Sequence, residues 1–146
     1  MKTPMKMQEK VILRVVARAC IPFILLFGLY VQFHGDFGPG GGFQAGVIFA
    51  AAFVLYALIF GTEQAKRVAH PRALQLLVAC GILLYAGTGV AGILLGGNFL
   101  DYGALDHHNP VHGQHLGILL VELGVGITVT TVMTSTFFIF SARKNS

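Results

Sequence analysis

The sequence predicts an all-α membrane protein of four transmembrane helices, with the N and C termini both cytoplasmic. Three observations predict it. Of 146 residues, 55% are hydrophobic and only 11% charged, against roughly 25% charged in an ordinary soluble domain. Four apolar stretches are long enough to cross roughly 30 Å of hydrocarbon at about 1.5 Å per residue. All ten Lys and Arg residues fall on one side of the resulting topology, the side that short basic loops keep in the cytoplasm.

The first helix is expected at about 11–33, behind Lys2, Lys6 and Lys10. Arg14 and Arg18 lie close enough to its inner end to snorkel into the headgroups, and Pro22 should bend it. A basic start before an apolar run also fits a secretory signal peptide. No small-x-small cleavage pattern follows it, however, and three further spans do. An outer loop at 34–42 leads to the second helix, about 43–61. The inner loop 62–72 holds Lys66, Arg67 and Arg72. A third helix is expected at about 73–96, an outer loop at 97–113, and a fourth helix at about 114–140, followed by Arg143 and Lys144. Residues 1–146 then form a single membrane domain.

Cys20 and Cys80 fall inside spans near their cytoplasmic ends and are expected to be buried thiols in a reducing compartment. Small residues crowd the second and third spans, which lets helices approach closely in lipid. They suit packing within the chain and, beyond that, docking on other subunits. The formal net charge of +4 is spread over three membrane-edge segments rather than one face, which points to anionic lipid headgroups and not to nucleic acid.

Chemistry-bearing residues are few. Glu122 is the one acid inside a span, placed about 12 Å in from the outer end of the expected fourth helix. Low dielectric disfavours the charged form of a carboxyl, and an acid at such depth is by default a candidate for ion or proton movement. The alternative is a structural acid paired with a neighbour. His115, seven residues earlier, shares nearly the same face. Thr128, Thr131 and Ser135 lie around the other side of the helix, so no continuous one-face path follows from this helix alone. The outer segment 106–115 contains four His, but its spacing matches no recognised zinc site and no Cys is near. Neither a metal nor a cofactor is expected, and no nucleophile-base pair suggests an enzyme.

Between the first two spans runs His34-Gly35-Asp36-Phe37-Gly38-Pro39-Gly40-Gly41-Gly42-Phe43-Gln44-Ala45-Gly46. It lacks the Lys and Ser/Thr of a phosphate-binding loop. Pro39 fixes its own φ, while Gly40, Gly41 and Gly42 permit positive φ and close backbone approach. Asp36, with Asp101 and Asp106, leaves the outer side acidic and free of Lys and Arg. The run resembles the signature of the B-type subunit of the Mrp-type multisubunit Na+/H+ antiporter. His115, the segment Glu122-Leu123-Gly124-Val125, Thr131-Val132-Met133-Thr134 and Asn98-Phe99 agree with that family, over about residues 10–140.

The resemblance implies a small, multi-pass subunit of a hetero-oligomeric complex in the bacterial cell membrane. It would assemble with other subunits in a complex that moves Na+ and H+ for sodium extrusion and pH homeostasis. Glu122 and His115, with His34 and Asp36, are the ion-path candidates, and Pro39, Gly40, Gly41, Gly42, Phe43 and Gly46 the structural motif; the resemblance assigns the main proton-pumping machinery to larger subunits, so that Glu122 would assist the ion path rather than drive it. Ala45-Gly46 stands where some relatives have Gly-Gly. A stand-alone four-helix drug/proton antiporter is the first alternative, opposed by the position of the Glu, the absence of Trp and the one-sided cations. A purely structural subunit of a related hydrogenase or respiratory complex is the second.

Overall fold

The computed structural model describes residues 10–35, 40–106 and 108–143. Its helices are α1 (Val11–Phe33), α2 (Gly42–Phe60), α3 (Thr62–Val68), α4 (Pro71–Leu94) and α5 (Pro110–Arg143), with a 3-10 turn at Tyr102–Leu105. No strand occurs among the described residues. Helices α1, α2, α4 and α5 are each long and apolar enough to cross a membrane. Pro22 is accommodated inside α1 without ending it.

The four long helices are arranged around α5, which packs between α2 and α4, while α1 leans mainly on α2. The small faces of α2 and α4 therefore meet α5 and not one another. A Cβ added to Gly46 of α2 would stand 2.9 Å from the Gly126 carbonyl oxygen and 2.8 Å from Val129 Cβ. One added to Gly81 of α4 would stand 2.8 Å from the Gly124 carbonyl oxygen. Backbones this close give dispersion contacts that bulkier residues would forbid, which is how helices associate in lipid. At the flank, only 11% of the most apolar window of α1 is buried, against 39% for α2; α1 is thus largely an outward surface.

The apolar core lies at the end that carries the cations. Ala57, Ala65, Ala69, Leu74 and Phe138 form one buried cluster, and Ala17, Ile59 and Phe60 another. The Arg14 and Arg18 guanidinium carbons stand 5.5 and 5.4 Å from the centre of the Phe60 ring, within cation-π range. Their stems thus lie along the helix pair instead of reaching freely outward.

Three features differ from the sequence reading. The segment 62–72 is not all loop: Gly61 turns the chain at φ 100°, a value that suits glycine, and α3 follows, with Lys66 paired to Glu63 at 3.2 Å. Cys20 and Cys80 are exposed on the outside of the bundle rather than buried, because they fall on the outward faces of α1 and α4. Helix α5 begins at Pro110, four residues before the expected start. Asn109 caps it by accepting the His112 backbone N–H at 3.3 Å, with Pro110 at the first helical position, where a missing N–H is harmless.

Candidate functional site

Helix α1 ends at Phe33 and α2 starts at Gly42, and Gly40 and Gly41, just before α2, lie against the end of α1. The Gly41 backbone N–H donates to the Val31 carbonyl at 3.2 Å. Gly41 has φ 118° and ψ 176°, a conformation essentially confined to glycine. A Cβ on Gly40 would stand 2.9 Å from the Val31 oxygen. Two chain directions thus meet with only backbone between them.

The Glu122 carboxyl fills the hollow these glycines leave. A Cβ on Gly35 would stand 2.5 and 2.6 Å from the two Glu122 carboxyl oxygens, and one on Gly41 would stand 2.9 Å from Oε1. On Gly42 it would collide with the Glu122 carbonyl oxygen. One turn further along α2, Gly46 meets Gly126, which lies one turn further along α5. Gly42 and Gly46 therefore form a small-x3-small seam against Glu122 and Gly126. The glycine-rich turn and the intramembrane acid, 80 residues apart in sequence, are parts of one site.

The geometry also revises the depth of Glu122. From Glu122 to Arg143 is about 31 Å of helix at about 1.5 Å per residue, close to the hydrocarbon thickness of roughly 30 Å. With α5 starting at Pro110, the acid lies about 18 Å of helix from that end rather than the expected 12 Å, and it is level with the outer ends of α1 and α2. The first three turns of α5 rise beyond it. The Tyr102 ring packs where a Cβ on Gly117 would go, bracing this upper part.

The remaining candidates divide. Asp36 and Pro39 lie outside the described residues. Gly40, Gly41, Gly42 and Gly46 form the turn and seam. Phe43 is 63% exposed and points away from them. His34 caps the end of α1 and stacks on Tyr30 with ring centres 5.0 Å apart. His115 is exposed about two turns above Glu122 on α5.

Above the site, Asp106 organises the start of α5. Its Oδ1 accepts the backbone N–H groups of His108 and Asn109, each at 3.1 Å, and its Oδ2 lies 3.1 Å from His112 Nδ1. The Asn109 N–H foremost, then the His112 ring, hold the Asp106 pKa below the usual carboxylate value. Burial, helped by the neighbouring Tyr85, raises that of Tyr102.

Three residues important to this geometry were not singled out in the sequence: Gln32, Gly126 and Thr130. Gln32, on the last turn of α1, is 6% exposed, and its Oε1 sits 2.5 Å from where a Gly126 Cβ would stand. Thr130, two turns below Glu122, donates to the Gly126 carbonyl at 2.7 Å and the Gly46 carbonyl at 3.2 Å. The spacing Glu122-x3-Gly126-x3-Thr130, matched with Gly42-x3-Gly46, is the signal that could have revealed both the seam and its hydroxyl.

Residues 12–135 match the family model described as a domain related to the MnhB subunit of Na+/H+ antiporters. The chain belongs to the MnhB family. Among its MnhB relatives is "Putative antiporter subunit mnhB2" of Staphylococcus haemolyticus (strain JCSC1435), 33% identical over 140 residues that cover 94% of this chain and 99% of the relative. The protein of the same name from Staphylococcus aureus (strain Newman) is 32% identical over the same shares. The MnhB match spans both halves of the site, from the end of α1 to Thr130.

Proposed function

We propose that this MnhB-family membrane subunit works within a multisubunit complex that exchanges Na+ for H+, and that Glu122 takes up and releases protons at the outer end of the bundle. The observation that carries the reading is the seat of the Glu122 carboxyl against the backbone of Gly35 and Gly41. The amide end of α2 favours a carboxylate, because unpaired N–H groups there carry partial positive charge. The carbonyl end of α1 suits a protonated acid, which can donate. A carboxyl between a donor end and an acceptor end is served in either state, as a proton carrier requires.

The MnhB match and the antiporter names of the relatives support exchange of sodium and protons as the work of the host complex. The outward face of α1 supports neighbouring subunits. The one-sided cations support cytoplasmic termini and contact with anionic lipid. Substituting Glu122→Gln keeps the shape of the side chain and removes its titration. The expected result is a complex that assembles normally but exchanges Na+ for H+ much more slowly in everted vesicles. A second reading has its own observation: the Glu122 carbonyl is pressed against Gly42, so the residue also clasps α5 to α2. Full exchange by an intact Glu122→Gln complex would leave that structural role alone standing.

A further inference from the structure

Two arginines on α1 share one aromatic ring. Arg14 and Arg18 stand one turn apart on the same face, with their guanidinium carbons 5.5 and 5.4 Å from the centre of the Phe60 ring. Neither is in an ion pair with a described residue, and like charges at this spacing repel, so the pair is short of an anion. From Arg14 to Phe33 is about 28 Å of helix, close to the hydrocarbon thickness of roughly 30 Å. With the end of α1 at the outer level of Glu122, the guanidinium pair is therefore at the level of the inner headgroup phosphates, and guanidinium suits phosphate through its planar fork of N–H donors. The shared ring also belongs to a stripe: at about 100° per residue, Phe49, Phe53, Tyr56 and Phe60 lie on one face of α2. Tyr56 and Phe60 pack with ring centres 4.7 Å apart, while Phe49 and Phe53 line a nearly all-apolar cavity of about 280 Å³, which Leu29 of α1, Leu77 of α4 and Ile127 of α5 also line.

We propose that Arg14 and Arg18, steadied by the Phe60 ring, hold the phosphate of an anionic inner-leaflet phospholipid, one of whose acyl chains runs along the aromatic face of α2 into this cavity. The distances match. Phe53 is about 10 Å and Phe49 about 16 Å of helix from Phe60, and half of the hydrocarbon is roughly 15 Å, the depth that the chains of one leaflet reach. A helix, about 10–12 Å across with its side chains, does not enter a space of this size, whereas a single acyl chain does. A zwitterionic headgroup would bring a further cation to the pair; an anionic one brings none. So seated, the lipid fills between α1 and α5 what the chain's own side chains leave open. The site rests on the reading of the basic end as the one that meets anionic lipid, and not on the role of Glu122.

The test uses the assembled complex, stripped of lipid in gentle detergent, titrated with phosphatidylglycerol or phosphatidylcholine and weighed intact by native mass spectrometry. The wild-type complex should hold at least one phosphatidylglycerol that phosphatidylcholine does not replace. Arg14→Gln with Arg18→Gln should weaken that binding several-fold, whereas Arg67→Gln with Arg72→Gln, which removes as much charge from the same side, should leave it unchanged. Leu77→Trp, at an exposed edge of the cavity, should weaken it as well, because the larger ring takes the place of the acyl chain. Undiminished binding in the Arg14 and Arg18 variant would overturn the site and leave diffuse lipid contact standing; no preference for phosphatidylglycerol in the wild type would overturn both. If that variant fails to assemble, electron cryo-microscopy of the wild-type complex decides. Phosphate density between the two guanidiniums, with a chain entering the cavity, is expected there, and a carboxylate on the arginines, from this chain or another subunit, would overturn the site.

Discussion

Glycine at position 35 is defined by what a methyl group would strike. Gly35→Ala would place a carbon 2.5 Å from a Glu122 carboxyl oxygen, and the carboxyl would have to leave its seat. Exchange is expected to fall while the complex still forms, read by vesicle assay beside native gel electrophoresis. Gly41→Val adds backbone strain to a similar intrusion, since φ 118° is costly for any residue with a Cβ, by about 1–3 kcal/mol. It should reduce assembly as well as exchange. Gly87 supplies the contrast: a Cβ there meets nothing within 4 Å. Gly87→Ala should leave exchange intact and raise the melting temperature slightly, because alanine favours a helix over glycine by up to about 1 kcal/mol. Residue type therefore predicts little here without the neighbour across the seam. Local sequence puts Gly35 in an outer turn and Gly87 in a span, but it does not report what stands opposite either one.

Elements were legible where a one-dimensional signal exists. Hydropathy over some twenty residues marked the four long helices, because lipid demands it of each span independently. The N-terminal extension of α5 had a readable cap in Asn109-Pro110, but the His-rich segment drew attention to metal chemistry instead. Helix α3 is only seven residues long, too short for periodicity to assert itself. The site was not legible, because it joins the α1–α2 turn to the middle of α5 through contacts that no local pattern reports. Even the hydroxyl count misled: Thr128, Thr131 and Ser135 formed the visible stripe, while Thr130 faces α2.

At the α5 cap, pH provides a test. The Asp106 pKa is lowered by its N–H and His112 partners. A carboxylate with a lower pKa folded than unfolded stabilises the fold above the unfolded value, and this contribution disappears as pH falls through the folded one. The Asp106 contribution to melting temperature should thus be complete at neutral pH and lost in acid, below about pH 4. Asp106→Asn should remove that part of the pH dependence, measured by thermal unfolding of the purified complex. Asn109→Ala should cost about 1 kcal/mol in the same assay at neutral pH.

For the whole molecule, the arrangement is a row of helices rather than a closed bundle, with α5 inside and α1 at the flank. Such a row leaves long apolar faces outward, including Phe23, Leu26, Phe27 and Tyr30 of α1. We expect the chain to co-purify from gentle detergent with several other membrane subunits. Recovery as an isolated homodimer that exchanges protons in liposomes would instead favour the stand-alone transporter. The charge partition has a structural counterpart in Arg14, Arg18 and Phe60, which tie α1 to α2 at the basic end.

The side of the Glu122 seat formed by Gly35, Gly41 and Gly42 is main chain, and that opens one way in which its affinity for a proton can be adjusted. In most acid sites a side chain swings in or out and retunes the group. Around Glu122, Gly35, Gly41 and Gly42 have no side chains to move. Where the two helix ends stand contributes to the field on the carboxyl, so a neighbour that shifts the α1–α2 hairpin by a fraction of an ångström would alter that field directly. The chain would then act as a lever, turning the position of an adjoining subunit into a preference for holding or releasing a proton.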